Sequence, residues 1–233
     1  MHELKKACDF LSSIGWLTKH PSAFRKLLLS RCRLHVLQKG ATVYSIGDRP
    51  DGIYGVASGQ LAVEMAPNEQ GPHIIHTLRP GAWFGEAAFL GDESRLVTVV
   101  ATRPSHCLYL PRSELEEIAK ADPDTWRRVG QLLFLQFQLA LSALDDLTLK
   151  RPDQRIAAIL LRLAGIRNSD RADDPTPEVD VTHKDIAEIS CLSRSTVASH
   201  LDEMQVAGLI SRGYGHVTLL DPTALRQLAV RRI

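Results

Sequence analysis

VTHKDIAEISCLSRSTVASHLDEMQVAGLISRGYGHVTLL, residues 181–220, decides how the C-terminal third folds. Thr182 stands three residues before Asp185, the spacing of a capping box, and Ile186, Ala187 and Ile189 supply an inner helical face. Ser193 opens a second helix that runs to about Ala207, with Val197, Leu201 and Met204 facing inward at steps of four and three. Only Cys191 and Leu192 separate the two, and a corner that tight is a helix-turn-helix. Gly208 ends the second helix, and LISRGYGHVTLL supplies two strands around Gly213, Tyr214 and Gly215, the wing hairpin expected after such a corner.

The second helix of such a corner can enter a DNA major groove with its first turns facing base edges. Those turns carry Ser193, Arg194, Ser195, Thr196, Ser199 and His200. Arg194 can offer two parallel donors to a guanine, and the hydroxyls can reach phosphates or bases. The competing reading is an amphipathic helix pair packed in a core, with the small polar residues as solvated caps. Corner, caps and hairpin in this order favour DNA. Residues 152–233 hold ten Lys plus Arg against eleven Asp plus Glu, so any positive face must come from geometry rather than from composition.

Upstream, a long helix is expected from about Thr125 to Lys150. Trp126, Val129, Leu133, Gln136, Ala140, Ala143 and Leu147 alternate steps of three and four along one seam, while Leu132, Leu135 and Leu139 line an adjacent face. Two apolar faces suggest burial against the chain's own core and against a second copy, hence a homodimer; the alternative is burial within one chain. Pro152 disfavours straight continuation, so a hinge is expected there. Gln154 to Gly165 reads as a helix, and NSDRADDPTPE, residues 168–178, as an exposed loop.

The first half has a different period. Phe10, Leu11, Ile14 and Leu17 are spaced as one helical face, followed by Phe24, Leu27 and Leu28 after Pro21. From Leu34, short β-branched and aromatic runs recur between Gly-containing breaks: HVL, TVYSI, IYGVA, LAVEM, HIIHTL, LVTVVA and CLYL. Many short strands at this spacing argue for an antiparallel barrel or jelly roll.

A chain of 233 residues with 44% hydrophobic residues and a net charge of +1 accommodates two ordinary globular domains. No membrane-spanning run or signal peptide is visible, so a cytoplasmic protein without a membrane partner is expected. Cys8, Cys32, Cys107 and Cys191 form no CxxC pair and are expected as buried thiols.

Over nearly its whole length the chain resembles the CRP/FNR superfamily of transcription regulators. VLQKGATVYSIGD, GIYGVASGQLAV, RPGAWFGEAAFLGDESR and DIAEISCLSRSTVASHLDEMQVAGLI carry the resemblance. It implies an α+β fold: an N-terminal antiparallel β-roll of jelly-roll type within residues 1–120, a long dimerisation helix over 121–151 and a winged helix-turn-helix over 152–233. The implied partners are a two-fold symmetric double-stranded operator, RNA polymerase and a second copy.

In nucleotide-binding members, the residues at Gly85 and Glu86 hold a ribose and the one at Arg95 a cyclic phosphate. Here the hydroxyl residue after the arginine is Leu96, followed by Val97, and the polar pair of the dimer helix falls at Ala140 and Leu141. Each missing partner would cost about 1 to 3 kcal/mol, so cyclic-AMP binding in the familiar manner is not expected; a different effector at the β-roll, or none, stays open, and Glu86 and Arg95 could instead form a structural ion pair.

No metal, haem or iron-sulfur cluster is expected: Cys8 and Cys32 are too few for a cluster, and His73 and His76 read as surface residues. In the turn, Cys191 replaces the family's usual Gly, while Ser195 and Ser199 replace a Glu and an Arg. The half-site should therefore differ from familiar ones. Two other functions compete with this one. A nucleotide-sensing module acting on a protein partner would bind no duplex DNA. A cupin-type metalloenzyme needs paired histidines two apart on a strand, not three.

Overall fold

The computed structural model describes residues 2–65, 72–167 and 177–230. The chain divides into two compact units between Phe137 and Gln138, inside the long helix.

The first unit starts with α1 (His2–Ser13), a 3-10 turn (Trp16–Lys19) and α2 (Ser22–Ser30). Among the described residues eight strands follow: β1 (Arg33–Leu37), β2 (Thr42–Tyr44), β3 (Gly52–Ser58), β4 (Leu61–Met65), β5 (His73–Leu78), β6 (Trp83–Phe84), β7 (Thr98–Ala101) and β8 (Ser105–Pro111). α3 (Glu86–Gly91) lies between β6 and β7, and α4 (Arg112–Ala121) leads to α5 (Asp124–Thr148). The strands form two antiparallel sheets, ordered β1-β8-β3-β6 and β2-β7-β4-β5.

Period-two alternation assigns the strand residues to two cores. On β8, Cys107 packs in a cluster with Tyr54, Val56, Leu61, Phe84 and Val99, whereas Leu108 and Leu110 pack with Leu11, Leu17, Leu28, Trp83 and Val129. The first cluster fills the β-roll; the second seats the helices on it. Each of the seven expected runs contains a strand. β6 was not expected, because two residues show no period. Its Trp83 explains Gly55 opposite, where a Cβ would come within 2.8 Å of the indole.

The expected single helical face through Phe10, Leu11, Ile14 and Leu17 is corrected. α1 stops at Ser13, Gly15 takes φ 73°, and Leu17 is buried from the 3-10 turn instead.

The second unit contains the end of α5, then α6 (Pro152–Leu163), β9 (Glu178–Val179), α7 (His183–Ser190), α8 (Arg194–Val206), β10 (Ile210–Gly213), β11 (His216–Leu219) and α9 (Pro222–Val230). Pro152 occupies the first turn of α6, where its missing N–H costs nothing. Ile156, Ala157, Ala158, Ile159, Leu160, Leu161 and Leu163 are fully buried, so α6 is the central helix of this unit. The expected loop over 168–178 lies outside the described residues except at its end. There Glu178 belongs to a strand: β9 pairs with β11, making a three-stranded sheet ordered β10-β11-β9.

Candidate nucleic-acid interface

Local hydrogen bonding shapes the corner between α7 and α8. Thr182 Oγ1 accepts from the Asp185 N–H at 3.2 Å, and the Thr182 N–H donates to Asp185 Oδ2 at 2.7 Å, completing the capping box. α7 ends in Cys191 at φ 53°, ψ 40°. The Cys191 and Leu192 N–H groups donate back to Glu188 O and Ala187 O, a Schellman turn with Leu192 as its apolar contact. The residue standing in for glycine thus takes glycine's left-handed conformation.

Ser193 caps α8 by accepting the Thr196 N–H at 3.1 Å. Its hydroxyl also lies 2.8 Å from those of Ser195 and Thr196. Val197, Leu201 and Met204 are buried, leaving Ser193, Arg194, Ser195 and Ser199 exposed and Thr196 and His200 half-buried. Arg194 makes no ion pair among the described residues. Further along α8 the charges are internally matched. His200 Nδ1 lies 2.9 Å from Glu203, and Arg212 of β10 bonds both Gln205, at 2.8 Å, and Asp202. Arg212, which sequence reasoning missed, therefore fastens the wing to α8. Tyr214 at the tip of the hairpin is fully exposed.

On α5 the seam read from the sequence is corrected at two of its seven residues. Val129 is fully buried in its own chain's core, and Gln136 donates to the Trp83 carbonyl at 2.8 Å. Trp126, Leu133, Ala140 and Leu147 are exposed and Ala143 is half-buried. The most exposed apolar residues are Phe134, Phe137, Leu141 and Leu144, at 58%, 55%, 52% and 62%. They follow the same steps of three and four in a neighbouring register, and with several apolar registers available the sequence did not rank them.

At Gly85, Glu86 and Arg95 the β-roll is closed. Arg95 is 2% exposed. Its NH2 donates to Asp51 Oδ1 at 2.7 Å and Gly52 O at 2.9 Å, and its NH1 to Gly85 O at 2.5 Å. The guanidinium carbon sits 4.2 Å from the Tyr44 ring centroid. Gly85 takes φ 96°, and a Cβ there would lie 3.0 Å from Arg95 NH1.

Partial burial pushes the Asp51 carboxyl up, but hydrogen bonds from Tyr54, at 2.6 Å, and from Arg95 outweigh it and hold the group below its ordinary value. The expected Glu86–Arg95 ion pair is replaced by Asp51–Arg95. Glu86 is buried with Oε2 unpartnered, and burial raises its carboxyl to about 7 against weaker lowering by its own backbone N–H and Arg95. As arranged, both terminal nitrogens of Arg95 hold protein oxygens, its Nε is buried without a partner among the described residues, and Leu96 offers no hydroxyl to a cyclic phosphate.

The expectation of buried thiols holds for Cys32 and Cys107; Cys8 is half-buried, and Cys191 is exposed because it forms the helix corner. Among the described residues, no three His, Cys, Asp or Glu side chains group as a metal site, and no helix is long and apolar enough to cross a membrane.

Two family models match: a cyclic nucleotide-binding domain over residues 34–122 and a Crp-like helix-turn-helix domain over 154–228. The chain belongs to the CRP/FNR family of transcriptional regulators. Within the CRP/FNR family it is similar to the transcriptional regulator SdrP of Thermus thermophilus, at 28% identity over 78% of this chain and 86% of that one. The cyclic AMP receptor protein of the same organism is 25% identical over 87% of this chain and 91% of its own. A crystal structure of a CRP/FNR-family regulator from Thermus thermophilus superposes with a TM-score of 0.64 at 26% identity, covering 86% of this chain and all of that one.

Proposed function

We propose that this regulator is a cytoplasmic homodimer without enzymatic activity, which binds a two-fold symmetric operator and acts with RNA polymerase. Residues 1–120 serve as the β-roll sensor-type domain, 121–151 as the dimerisation helix and 152–233 as the DNA-binding domain. Arg194 reads a base edge, and Ser193, Ser195, Thr196, Ser199 and His200 position the helix against phosphates and bases. One observation carries this reading: Arg194 stands exposed and without an ion pair on the first turn of a capped helix whose later charges are all matched. Dimerisation is supported by the exposed stripe Phe134, Phe137, Leu141 and Leu144, which a soluble monomer would leave in water.

The test is selection of a binding site from random duplexes, followed by Arg194→Ala. Affinity should fall by about 1 to 3 kcal/mol per half-site, with preference relaxed at one base pair. An unchanged footprint and unchanged base preference would remove Arg194 from the reading role. If no duplex is retained at any salt concentration, the protein-partner reading is favoured instead.

A further inference from the structure

The second unit contains both the end of the apolar stripe and the DNA-contacting helix, and a buried charge cluster ties one to the other. In the last turns of α5, Leu144 and Leu147 are exposed, while Asp146 between them is fully buried. Arg162 of α6 donates Nε to Asp146 Oδ2 at 2.7 Å. Arg167, just beyond α6, places Nε 2.7 Å from Asp146 Oδ1 and NH2 3.1 Å from the exposed Asp145. The arginine side chains are only 4% and 13% exposed.

About two turns earlier on α6, Arg155 donates Nε and NH2 to Leu149 O, at 3.0 and 2.7 Å, and NH1 to Ser190 O at 2.9 Å. Ser190 is the last residue of α7, and only Cys191, Leu192 and Ser193 separate it from α8. A hydrogen-bonded path therefore runs from the end of α5, through α6, to the corner that aims α8. Arginines that follow Pro152 thus bind Asp146 and Leu149, which precede it, across the link expected as a hinge.

Buried ion pairs add little net stability, because desolvation offsets most of the attraction. Their geometry is nevertheless demanding, since any reorientation strands a charge. A cluster of this kind is well suited to fixing an angle. Arg194 reads bases, but nothing in α8 sets how far apart two copies are held; that depends on the direction in which α5 leaves the DNA-binding unit.

We propose that Asp146, Arg162 and Arg167, with Arg155, are positioning residues that set the half-site spacing this regulator accepts. They do so by holding the pairing face around Leu144 and Leu147 at one angle to α8. The proposal rests on the two-fold DNA-binding reading above. Half-sites lie about 34 Å apart along the duplex, and changing the spacer by two base pairs shifts one half-site by about 7 Å along the axis and about 70° around it.

The experiment measures full-length protein on a set of operators whose spacers differ by up to two base pairs either way, and on an isolated half-site. Asp146→Asn and the milder Arg167→Ala are compared with the unmodified chain. The unmodified protein should favour one spacing. Both variants should lose at least about fivefold of that preference while keeping half-site affinity and a cooperative melt. If Asp146→Asn does not fold, Arg167→Ala decides alone. Variants with the unmodified spacing preference would overturn the positioning role and leave the DNA-binding reading intact. An unmodified protein that binds half-sites with no spacing preference would overturn both the two-fold reading and this proposal.

Discussion

Two arginines mark the contrast between the β-roll and the helix-turn-helix. Arg95 is 2% exposed, and both terminal nitrogens of its guanidinium hold oxygens of its own chain. Arg194 is exposed and forms no ion pair among the described residues. Both stand at motif positions, yet one has become part of the interior and the other faces outward. The difference comes from where their partners originate. Arg95 is held by Asp51, which lies 44 residues away in the chain, whereas the surroundings of Arg194 are set by a cap within three residues.

Replacing each arginine should separate the two regions most strongly. Arg95→Met would leave two carbonyls and a half-exposed carboxylate without their donor, at a cost of about 3 to 5 kcal/mol in urea unfolding. Arg194→Ala should change stability by less than about 0.5 kcal/mol, since its side chain holds nothing in its own fold. Equal small losses from both would mean that Arg95 is not structural, and the β-roll site would again be available to an anion.

Glu86 sharpens the contrast through pH. The free carboxyl titrates at 4.5 and the folded one at about 7, so between these values the native state keeps a proton that the unfolded chain has released. Stability should therefore fall as pH rises from about 4.5 through about 7. It should level off above, where both states are ionised, and also below, where both are protonated. Glu86→Gln should remove that slope and make the protein roughly 3 kcal/mol more stable than the original at pH 8. A variant with the same pH profile would show that Oε2 has a partner when the protein is folded in solution.

The same contrast explains what could be read from the sequence. The helix corner was legible nearly residue by residue, because Thr182 with Asp185, Ser193 and Gly208 act through hydrogen bonds and turns only a few positions long. Strand runs were legible as elements, since alternation needs only neighbours. β6 and β9 were not, being two residues each and defined by what they pair with. The α5 register was misread at Val129 and Gln136: the helix carries apolar residues on several faces, and only tertiary contact shows which face meets Trp83 and which meets solvent. Asp51 could not be paired with Arg95 by any local rule; an acidic residue before Gly52 reads as an ordinary turn.

Cys191 provides the finest test of how far local rules reach. It adopts φ 53°, ψ 40°, a conformation that disfavours a side chain by roughly 1 to 2 kcal/mol. Glycine would relieve this strain but would lose more backbone freedom on folding, by about 0.5 to 1 kcal/mol. Cys191→Gly should therefore raise stability by a net of roughly 0.75 kcal/mol, within bounds of about 0 and about 1.5 kcal/mol, read as a higher urea midpoint at unchanged slope, with operator affinity unaffected. Among the described residues the thiol has only a long contact to Glu188 O, at 4.0 Å, to set against that gain. A lower midpoint would mean that the exposed sulfur contributes more to the corner than its geometry indicates. In that case the turn between α7 and α8 would depend on side-chain contacts, as Arg95 does, and not on backbone conformation alone.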